Sequence, residues 1–443
     1  MTLPASNADA NVGIESGAVR VGYMRWIICS LLFLGTVINY IDRTVLSVLE
    51  PELRRTIGWN DVQWGYIGAS FMMAYAIGFP FAGYMMDKLG TRLGFTISLI
   101  VWSLAAASTA FARNLGDFVV ARFALGLGES GNYPAAIKTI AEWFPQRERA
   151  LATGIINAGT NVGATITPIA IPIIYANHGW QAAFLATGLG GLLWILLWWP
   201  IYRRPQEHPW LSRDEVAFIE RDPPDPPQRI AWRQLLGYHQ VWAFAIAKAL
   251  TDSVGWFYLF WFAPFMYAQF GVDIKTILWP MLTVCIMADV DSVLGGWQSS
   301  WLLGRGWSTN AARKTAMLTY ALCIVPVAAA PLVSEKWLAV ILIGVAAGSH
   351  QGFSANLFTI NSDIFPRKAI GSIIGIGGFA GAMGGFTLQL GAGWLKQVTG
   401  SYVTLFAIAG SAYVLALVIL QILIPRIEPV NMAAEAERRE RSV

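Results

Sequence analysis

Charged residues are scarce in this chain of 443 residues, and their scarcity defines the class of protein. Asp, Glu, Lys and Arg together make up 13% of the sequence, whereas hydrophobic residues make up 55%. Globular domains carry about a quarter of their residues as charges. The mean hydropathy is correspondingly high, at +0.50. An ordinary soluble fold is therefore excluded, and the 20 Trp and 43 Gly are typical of helices packed in a lipid bilayer.

Cysteine is also rare, and a strong net charge is missing. The three cysteines lie far apart in apolar segments without metal-ligand spacing, so we expect buried thiols and no metal site at Cys29, Cys285 and Cys323. The formal net charge of +4 is spread over loops and does not indicate nucleic-acid binding. No bound cofactor, no catalytic residue and no enzyme activity are predicted.

The N-terminus lacks the features of a cleaved signal peptide. Its first residues are polar and mixed, with no basic segment leading into a short apolar run and a cleavage site. The first apolar segment is therefore expected to stay in the membrane as an anchor.

Long apolar segments account for most of the chain. A membrane-spanning helix needs about 20 apolar residues, and about twelve stretches meet that requirement. They are centred on 25–47, 63–86, 93–112, 116–141, 150–175, 181–202, 240–269, 276–303, 313–333, 337–362, 369–395 and 402–424.

A charged interval after the sixth segment divides the chain into predicted domains. It contains an amphipathic stretch at 211–222, predicted to form a short surface helix, and the spacer PPDPP at 223–227. The predicted organisation is an N-terminal tail (1–20), a six-helix bundle (21–204), a linker (205–235), a second six-helix bundle (236–425) and a C-terminal tail (426–443).

Lysine and arginine predict the orientation of the segments. Alternate loops on one side carry most of the basic residues, including Lys88, Arg147, Arg203, Arg313 and Lys368. By the positive-inside rule, these loops, both termini and the linker are predicted to be cytoplasmic.

The two halves also resemble each other in sequence. EWFPQRERALATGIINAGTNVG (142–163) aligns with DIFPRKAIGSIIGIGGFAGAMG (363–384) at a shift of 221 residues, which superposes a Phe-Pro pair and two glycines. Parallel repetition of six spans predicts two bundles related by an axis normal to the membrane, with the substrate between them.

The stretch RFALGLGESGNYPAAIKTIAEWFP (122–145) carries charges at membrane depth. Arg122 and Glu129 are seven residues apart, so they lie on one helix face about 10 Å apart. Gly126 and Gly128 on that face permit close packing of another helix. An unpaired charge at membrane depth costs at least ~2.5 kcal/mol, so both residues must face protein or a water-filled cavity. Either they form a static ion pair, or they mark a pathway for proton-coupled transport of an anion.

A loop motif lies between the second and third predicted spans. GYMMDKLGTR has the pattern G-x-x-x-D-[RK]-x-G-x-[RK], formed by Gly83, Asp87, Lys88, Gly90 and Arg92. Its glycines permit a tight turn and close helix packing. With this motif the chain resembles the major facilitator superfamily, in which the aspartate would pair with arginines of a neighbouring helix and hold an inner gate shut. In the second half, Ser300 stands where the repeat would put an acid.

Further motifs lie in both halves: VINYIDRTVLS (37–47), ALGLGESGNYPAAIKTIAEWFP (124–145), ERALATGIINAGTNVGA (148–164), KALTDSVGWFYLFWFAP (248–264), SHQGFSANLFTINSDIFPRK (349–368) and GIGGFAGAMGG (375–385). Together they resemble the anion:cation symporter family of that superfamily, most of all its bacterial hexuronate transporters. The resemblance covers nearly the whole chain. It implies an all-α membrane protein with the major facilitator fold, twelve transmembrane helices in two six-helix bundles and both termini cytoplasmic.

The same resemblance implies roles for individual residues. Asp42 and Glu129 would carry protons, Arg43 would bind the substrate carboxylate, and Arg122 would pair with an acid and alternate as protons come and go. Hydroxyl groups for the sugar acid would come from Tyr40 and Tyr75. Independently of the resemblance, a guanidinium binds a carboxylate through two parallel hydrogen bonds. Burial and a nearby arginine shift the pKa of a carboxyl group in opposite directions, so movement of either partner switches its charge.

Other polar residues within the spans are candidates for the binding site. Asn157, Thr160 and Asn161 either bind substrate hydroxyls or hydrogen-bond between helices. His350 and Gln351 are candidates to face the cavity from the tenth span, although a lone histidine in a membrane is often structural.

Two pairs of charged residues in the second half have open interpretations. Lys248 and Asp252, four residues apart, are predicted to form an ion pair within one helix near its cytoplasmic end. Asp289 and Asp291 are either a second acidic site or polar groups that pack helices together.

The sequence thus predicts a proton-coupled importer of hexuronate-type sugar acids, working by alternating access in the bacterial inner membrane. Its partners would be a small organic anion, protons and the lipid bilayer, and the chain would act as a monomer. One alternative is a symporter for another carboxylate, such as an aldonate, aldarate, tartrate or aromatic acid. The other is a membrane sensor that binds its ligand without transport. The presence of Asp42, Glu129 and the loop motif favours transport.

Overall fold

The structure of the chain, a computed structural model, describes residues 22–221 and 232–430. Over these residues the backbone forms helices and connecting turns, without a strand. The predicted N-terminal tail, the spacer at 223–227 and residues 431–443 of the predicted C-terminal tail lie outside the described residues. The α-helices are α1 (Met24–Ile57), α2 (Asp61–Ser108), α3 (Leu115–Glu129), α4 (Asn132–Trp143), α5 (Gln146–Ile201), α6 (Arg213–Ile219), α7 (Trp232–Leu235), α8 (His239–Phe270), α9 (Leu278–Gly304), α10 (Thr309–Ile324), α11 (Lys336–Ile364), α12 (Arg367–Thr399) and α13 (Val403–Leu423). Short 3-10 helices lie at Thr109–Phe111, Pro205–Glu207 and Val325–Leu332.

Seven helical stretches within the described residues are long and apolar enough to cross a membrane. They are α1, α2 with the following 3-10 turn, most of α5, α10 with its 3-10 extension, α11, most of α12, and α13. The stretches that contain α2 and α5 have 51 residues each, far more than the roughly 20 that one crossing needs.

Glycines divide both of these long helices. Gly90 in α2 has φ 79° and Gly179 in α5 has φ 80°, which are non-helical backbone angles. A side chain in this left-handed region is disfavoured, so glycine is the residue that lets the chain turn here without a longer loop. α2 and α5 are therefore each two helices joined at a glycine, and the predicted spans lie on either side of each glycine.

Glycines also bring α3 between the two parts of α2. A Cβ on Gly126 would overlap the Phe71 carbonyl oxygen, and one on Gly128 would lie 2.5 Å from the backbone nitrogen of Trp102. Close approach of this kind is what small residues provide at helix crossings in membranes. It determines where the last turn of α3, which ends at Glu129, sits within the protein.

Helices from the two halves of the chain meet mainly along three pairs: α2 with α12, α1 with α8, and α5 with α9. The α2–α12 crossing is tight, because a Cβ on either Gly65 or Gly393 would lie 3.2 Å from the Cα of the other. Nearby, the Ser47 hydroxyl donates to the carbonyl of Leu259, 3.0 Å away. We call this region, around the end of α1 and the start of α2, the closed end.

Replacing Gly65 with valine is expected to open the closed end. A Cβ at this position would lie 2.6 Å from the Gln389 carbonyl oxygen, and overpacking of this kind costs ~1–3 kcal/mol. Ser47 is 1% exposed. In a background without the three native cysteines, a Ser47→Cys reporter should react with a hydrophilic maleimide only when Gly65→Val is also present.

The matched control is Gly190→Val in α5, because a Cβ on Gly190 would meet nothing within 4 Å. The control should leave the reporter unlabelled. Equal labelling in the two variants would show that the Gly65 crossing does not close this end.

Candidate functional site

A cavity of about 340 Å³ lies between helices of the two halves. Its volume falls in the range of small-molecule sites. From the first half, α1 and α5 contribute Tyr40, Thr160, Asn161 and Ala164. The rest of the wall comes from α8, α9 and α11, and its polar members are Lys248, Asp252, Trp256, Tyr258, Cys285, Asp289, His350, Gln351 and Ser354.

Beside this cavity, Arg43 of α1 and Glu129 of α3 form a buried ion pair. Both Nε and Nη2 of Arg43 lie 2.7 Å from Oε2 of Glu129. Arg43 is 2% exposed and Glu129 is 0% exposed. Asn39, one turn before Arg43, accepts a further hydrogen bond from Nη2 at 3.2 Å. Removing two charges from water is costly, and only a well-aligned pair recovers that cost. The positions of the Arg43 and Glu129 side chains therefore depend on each other.

Four aromatic rings surround the Arg43 guanidinium. Its central carbon lies 4.6 Å from the ring centre of Tyr40, 5.1 Å from that of Trp256, 5.2 Å from that of Tyr75 and 5.3 Å from that of Phe71. Ring faces attract the cation and exclude water from it. Two of the rings, Tyr40 and Trp256, also line the cavity. Arg43 therefore lies one aromatic layer behind the cavity wall.

Arg122 and Asp42 lie close to the ion pair and complete a cluster of four charged groups. Arg122 is 1% exposed and donates from Nη1 to the carbonyl of Arg43 at 3.2 Å. Asp42 is equally buried and lies beside Thr187, with Arg122 and Glu129 among the charges that act on it. Two arginines and two carboxylates leave the cluster without net charge when all four are ionised.

Several polar atoms of this cluster are unsatisfied within the described residues. No well-formed hydrogen bond reaches Nε and Nη2 of Arg122, Oε1 of Glu129 or the carboxylate oxygens of Asp42. A buried group without a partner costs free energy. One ion pair is thus complete, while the remaining charges have spare donors and acceptors.

Among the described residues no direct ion pair joins Arg122 to an acid, although Glu129 and Asp42 are among the charges that act on it, and its alternation between partners stays a prediction. Seven residues along α3 separate Arg122 from Glu129 by about 10 Å. Glu129 instead reaches across to Arg43 on α1. Tyr75 contacts Arg43 but does not line the cavity, and the side chain of Asn157 is exposed and is not part of the cavity wall.

The wall from the second half contains charges of its own. Nζ of Lys248 lies 2.7 Å from Oδ2 of Asp252, which is the predicted pair within α8. Both residues face the cavity, however, rather than a helix end. Asp289 of α9 also lines it, and its Oδ1 has no hydrogen-bond partner among the described residues. Asp291, by contrast, packs against Gly348 of α11 outside the cavity wall.

A hydrogen-bond chain fixes the orientation of His350. The Tyr413 hydroxyl donates to the carbonyl of Thr251 at 3.1 Å, so its single proton is used there. Nδ1 of His350, 2.7 Å from that hydroxyl, must therefore be the donor. Its other nitrogen, which is an acceptor when the ring is neutral, lies towards Gly255 in the cavity wall.

The loop motif lies apart from the cavity and makes contacts within the first half. Asp87 forms an ion pair with Lys138 of α4, Oδ1 to Nζ 3.1 Å. Arg92 lies over the Trp199 ring at 4.4 Å and Lys88 over the Tyr84 ring at 5.7 Å. A Cβ on Gly83 would meet nothing within 4 Å, and Gly90 provides the turn between the two parts of α2.

Sequence reasoning missed four wall residues that carry polar atoms: Trp256, Tyr258, Cys285 and Ser354. The sequence does not distinguish these four residues from the other aromatic and small residues of their apolar segments. Within the described residues there is no group of three or more His, Cys, Asp or Glu side chains that could hold a metal ion.

Known proteins resemble this chain in sequence and in fold. The sequence matches the model of the Major Facilitator Superfamily over residues 32–387. The hexuronate transporter of Escherichia coli (strain K12) is 28% identical over 396 residues, which cover 88% of this chain and 91% of that protein. The galacturonate transporter of Dickeya chrysanthemi is 32% identical over 284 residues, covering 63% and 82%. The probable galactarate/D-glucarate transporter of Bacillus subtilis (strain 168) is 26% identical over 438 residues, covering 95% and 96%.

Among solved structures, the xylose transporter XylE from E. coli in a partially occluded inward open conformation superposes with a TM-score of 0.70. The alignment covers 91% of this chain and 98% of that chain at 14% sequence identity. At this identity, the likeness shows a shared fold.

Removing Glu129 should destabilise the protein by leaving Arg43 buried without its partner. Loss of one member of a buried ion pair typically costs ~3–5 kcal/mol, and replacing both members with apolar residues can recover that cost. Thermal unfolding in detergent should therefore show a lowered midpoint for Glu129→Leu and a higher one for the double variant Arg43→Met/Glu129→Leu.

Glu52→Leu is the control, because Glu52 pairs with Arg55, whose side chain is 59% exposed. An exposed pair is worth less than about 1 kcal/mol, so this midpoint should change little. A double variant no more stable than Glu129→Leu would contradict the pairing.

Proposed function

The chain belongs to the Major Facilitator Superfamily, whose members are transporters rather than enzymes, and on this premise we propose that it imports hexuronate-type sugar acids together with protons. Its all-helical fold is that of the superfamily. The names of its relatives support sugar acids as the substrate class. The proposal for coupling rests on the charged cluster beside the cavity.

The observation that carries the proposal is the buried Arg43–Glu129 pair one aromatic layer behind the cavity. Ionised, the cluster of two arginines and two carboxylates is neutral, so an incoming anion would add a net charge to a buried site. A proton on Glu129 gives the cluster one positive charge, which one carboxylate neutralises. Anion and proton together therefore leave the buried charge unchanged, and this is the electrostatic basis of symport.

Protonation also frees the group that binds the anion. While Glu129 is ionised, it occupies Nε and Nη2 of Arg43. A neutral Glu129 holds the guanidinium far less strongly, and the substrate carboxylate takes its place as the bidentate partner. Tyr40 and Trp256, which separate Arg43 from the cavity, would turn aside and contact the sugar ring. Arg122 and Asp42 have spare donors and acceptors with which to follow the change.

For the membrane, we propose twelve crossings in two six-helix bundles, 21–204 and 236–425. α2 and α5 would each cross twice, on either side of Gly90 and Gly179, and α3 and α4 would together form one crossing. The positive loops, the tails at 1–20 and 426–443 and the linker at 205–235 would face the cytoplasm of a bacterium. The closed end would then face outwards, and the cavity of the monomer would open inwards.

Uptake by purified protein in proteoliposomes tests the proposal. An inwardly directed proton gradient should drive accumulation of labelled galacturonate above its external concentration, and a protonophore should abolish accumulation. Counterflow without a gradient should persist. Binding without uptake would indicate a sensor, and accumulation insensitive to the protonophore would exclude proton coupling.

Glu129→Gln should bind galacturonate with an affinity that hardly depends on pH. Glutamine imitates the protonated acid and leaves Arg43 free, whereas the wild type must take up a proton first, so its affinity should fall from about pH 5 to about pH 8. Calorimetric titration of both proteins across this range measures the difference, with Glu220→Gln as the control, an exposed glutamate that does not line the cavity. Parallel curves would remove Glu129 from the coupling step.

Asp42→Asn should abolish accumulation while exchange survives. A permanently neutral side chain cannot release a proton on the return step, but substrate can still be exchanged across the membrane. Gradient-driven uptake and counterflow are measured on the same preparation, with the exposed Asp117→Asn as control. Accumulation at the wild-type level would show that Asp42 is not a coupling acid.

A further inference from the structure

The cavity wall from the second half has an uneven set of charges. Lys248 supplies one ammonium group, while Asp252 and Asp289 supply two carboxylates. His350 adds no charge at pH 7, because a histidine side chain is mostly neutral there. No other Asp, Glu, Lys, Arg or His side chain among the described residues lines the cavity. We call this side, formed by α8, α9 and α11, the far wall, because it lies opposite Tyr40 and Thr160 of the first half.

Lys248 and Asp252 act together as a donor next to an acceptor. The ammonium has three N–H donors, and Asp252 takes one of them at 2.7 Å. The ammonium of Lys248 also lies 4.3 Å from the centre of the Phe358 ring. Such a pair suits neighbouring hydroxyl groups, each of which can donate to the carboxylate and accept from the ammonium. An ion pair at membrane depth carries the free-energy cost of removing both charges from water, and hydrogen bonds to a substrate would offset part of that cost.

Asp289 is the carboxylate that no cation balances. It lies on α9, and its Oδ1 has no hydrogen-bond partner among the described residues. A sugar hydroxyl can satisfy that acceptor, because a hydroxyl donates a proton without bringing charge. A second carboxylate on the substrate cannot donate, and it would meet a wall with a surplus negative charge.

We propose that the far wall binds the uncharged hydroxyl-bearing end of a sugar acid and excludes a second carboxylate, so that the cavity selects acids with one carboxylate over those with a carboxylate at each end. This rests on the proposed function, in which Arg43 binds the first carboxylate. Family membership does not decide the question, since one relative is named for hexuronate and another for galactarate and D-glucarate.

The test compares galacturonate with galactarate, which replaces the uncharged end with a second carboxylate. Like charges a few ångströms apart in a partly buried site change affinity by about 10- to 100-fold. Equilibrium binding to the purified wild-type protein should therefore favour galacturonate over galactarate by at least about tenfold. Galactonate, with one carboxylate and an alcohol at its other end, should bind like galacturonate.

A charge series on the far wall makes the test specific. Asp289→Asn and Asp252→Asn each remove one negative charge. Each should therefore lower the ratio of galacturonate affinity to galactarate affinity by at least about fivefold. The double variant Asp252→Asn/Asp289→Asn leaves Lys248 unopposed and should bind galactarate more tightly than galacturonate. If one of the two single variants does not fold, the other alone tests the inference.

Asp291→Asn is the matched control, because the same change on the same helix is made outside the cavity wall, against Gly348. It should keep the wild-type preference. Wild-type protein that binds both acids equally, or Asn variants that keep the full preference, would overturn the inference about the far wall. Failure of the wild type to bind any of the three acids would instead overturn the proposed substrate class.

Discussion

The ion pair between Arg43 and Glu129 is the interaction around which the rest of the site is arranged. It joins α1 to α3 through two contacts of 2.7 Å in a region with almost no solvent exposure. A buried pair of this kind is held by its surroundings, since desolvation offsets much of its attraction. Here the surroundings are four aromatic rings, of which Trp256 comes from the other half of the chain. The guanidinium paired with Glu129 therefore contacts residues from both halves of the chain.

The packing of α3 against α2 places Glu129 beside Arg43. α3 enters between the two parts of α2 only because Gly126 and Gly128 present backbone to Phe71 and Trp102. A larger residue at either glycine would push the end of α3 outwards, and Glu129 with it. The turn at Gly90 allows α2 to pass α3 on both sides. Small residues thus determine where the charge lies, although they carry none.

Sequence patterns predict the helices well, because runs of apolar residues of membrane length have few alternatives. They also single out Asp42, Arg43, Arg122 and Glu129, since a charge in such a run is costly enough to need a reason. They do not show which charges pair. Arg122 and Glu129 share a face of one helix, yet Glu129 pairs with Arg43, 86 residues earlier. Likewise, the spacing of Lys248 and Asp252 predicts their ion pair but not that it faces a cavity, which depends on α9 and α11.

The two walls of the cavity differ in how freely their charges can change. On the first side, Arg122, Asp42 and Glu129 have unused donors and acceptors, so the cluster can redistribute its bonds when a proton arrives. On the far wall, Lys248 is already paired with Asp252 four residues along its own helix, and the unpartnered oxygen of Asp289 is available to a substrate hydroxyl. Under the proposed function, coupling to protons therefore belongs to the first side and recognition of the uncharged end to the second. A transporter built this way can change its preferred sugar acid through the far wall without altering the charges that drive it.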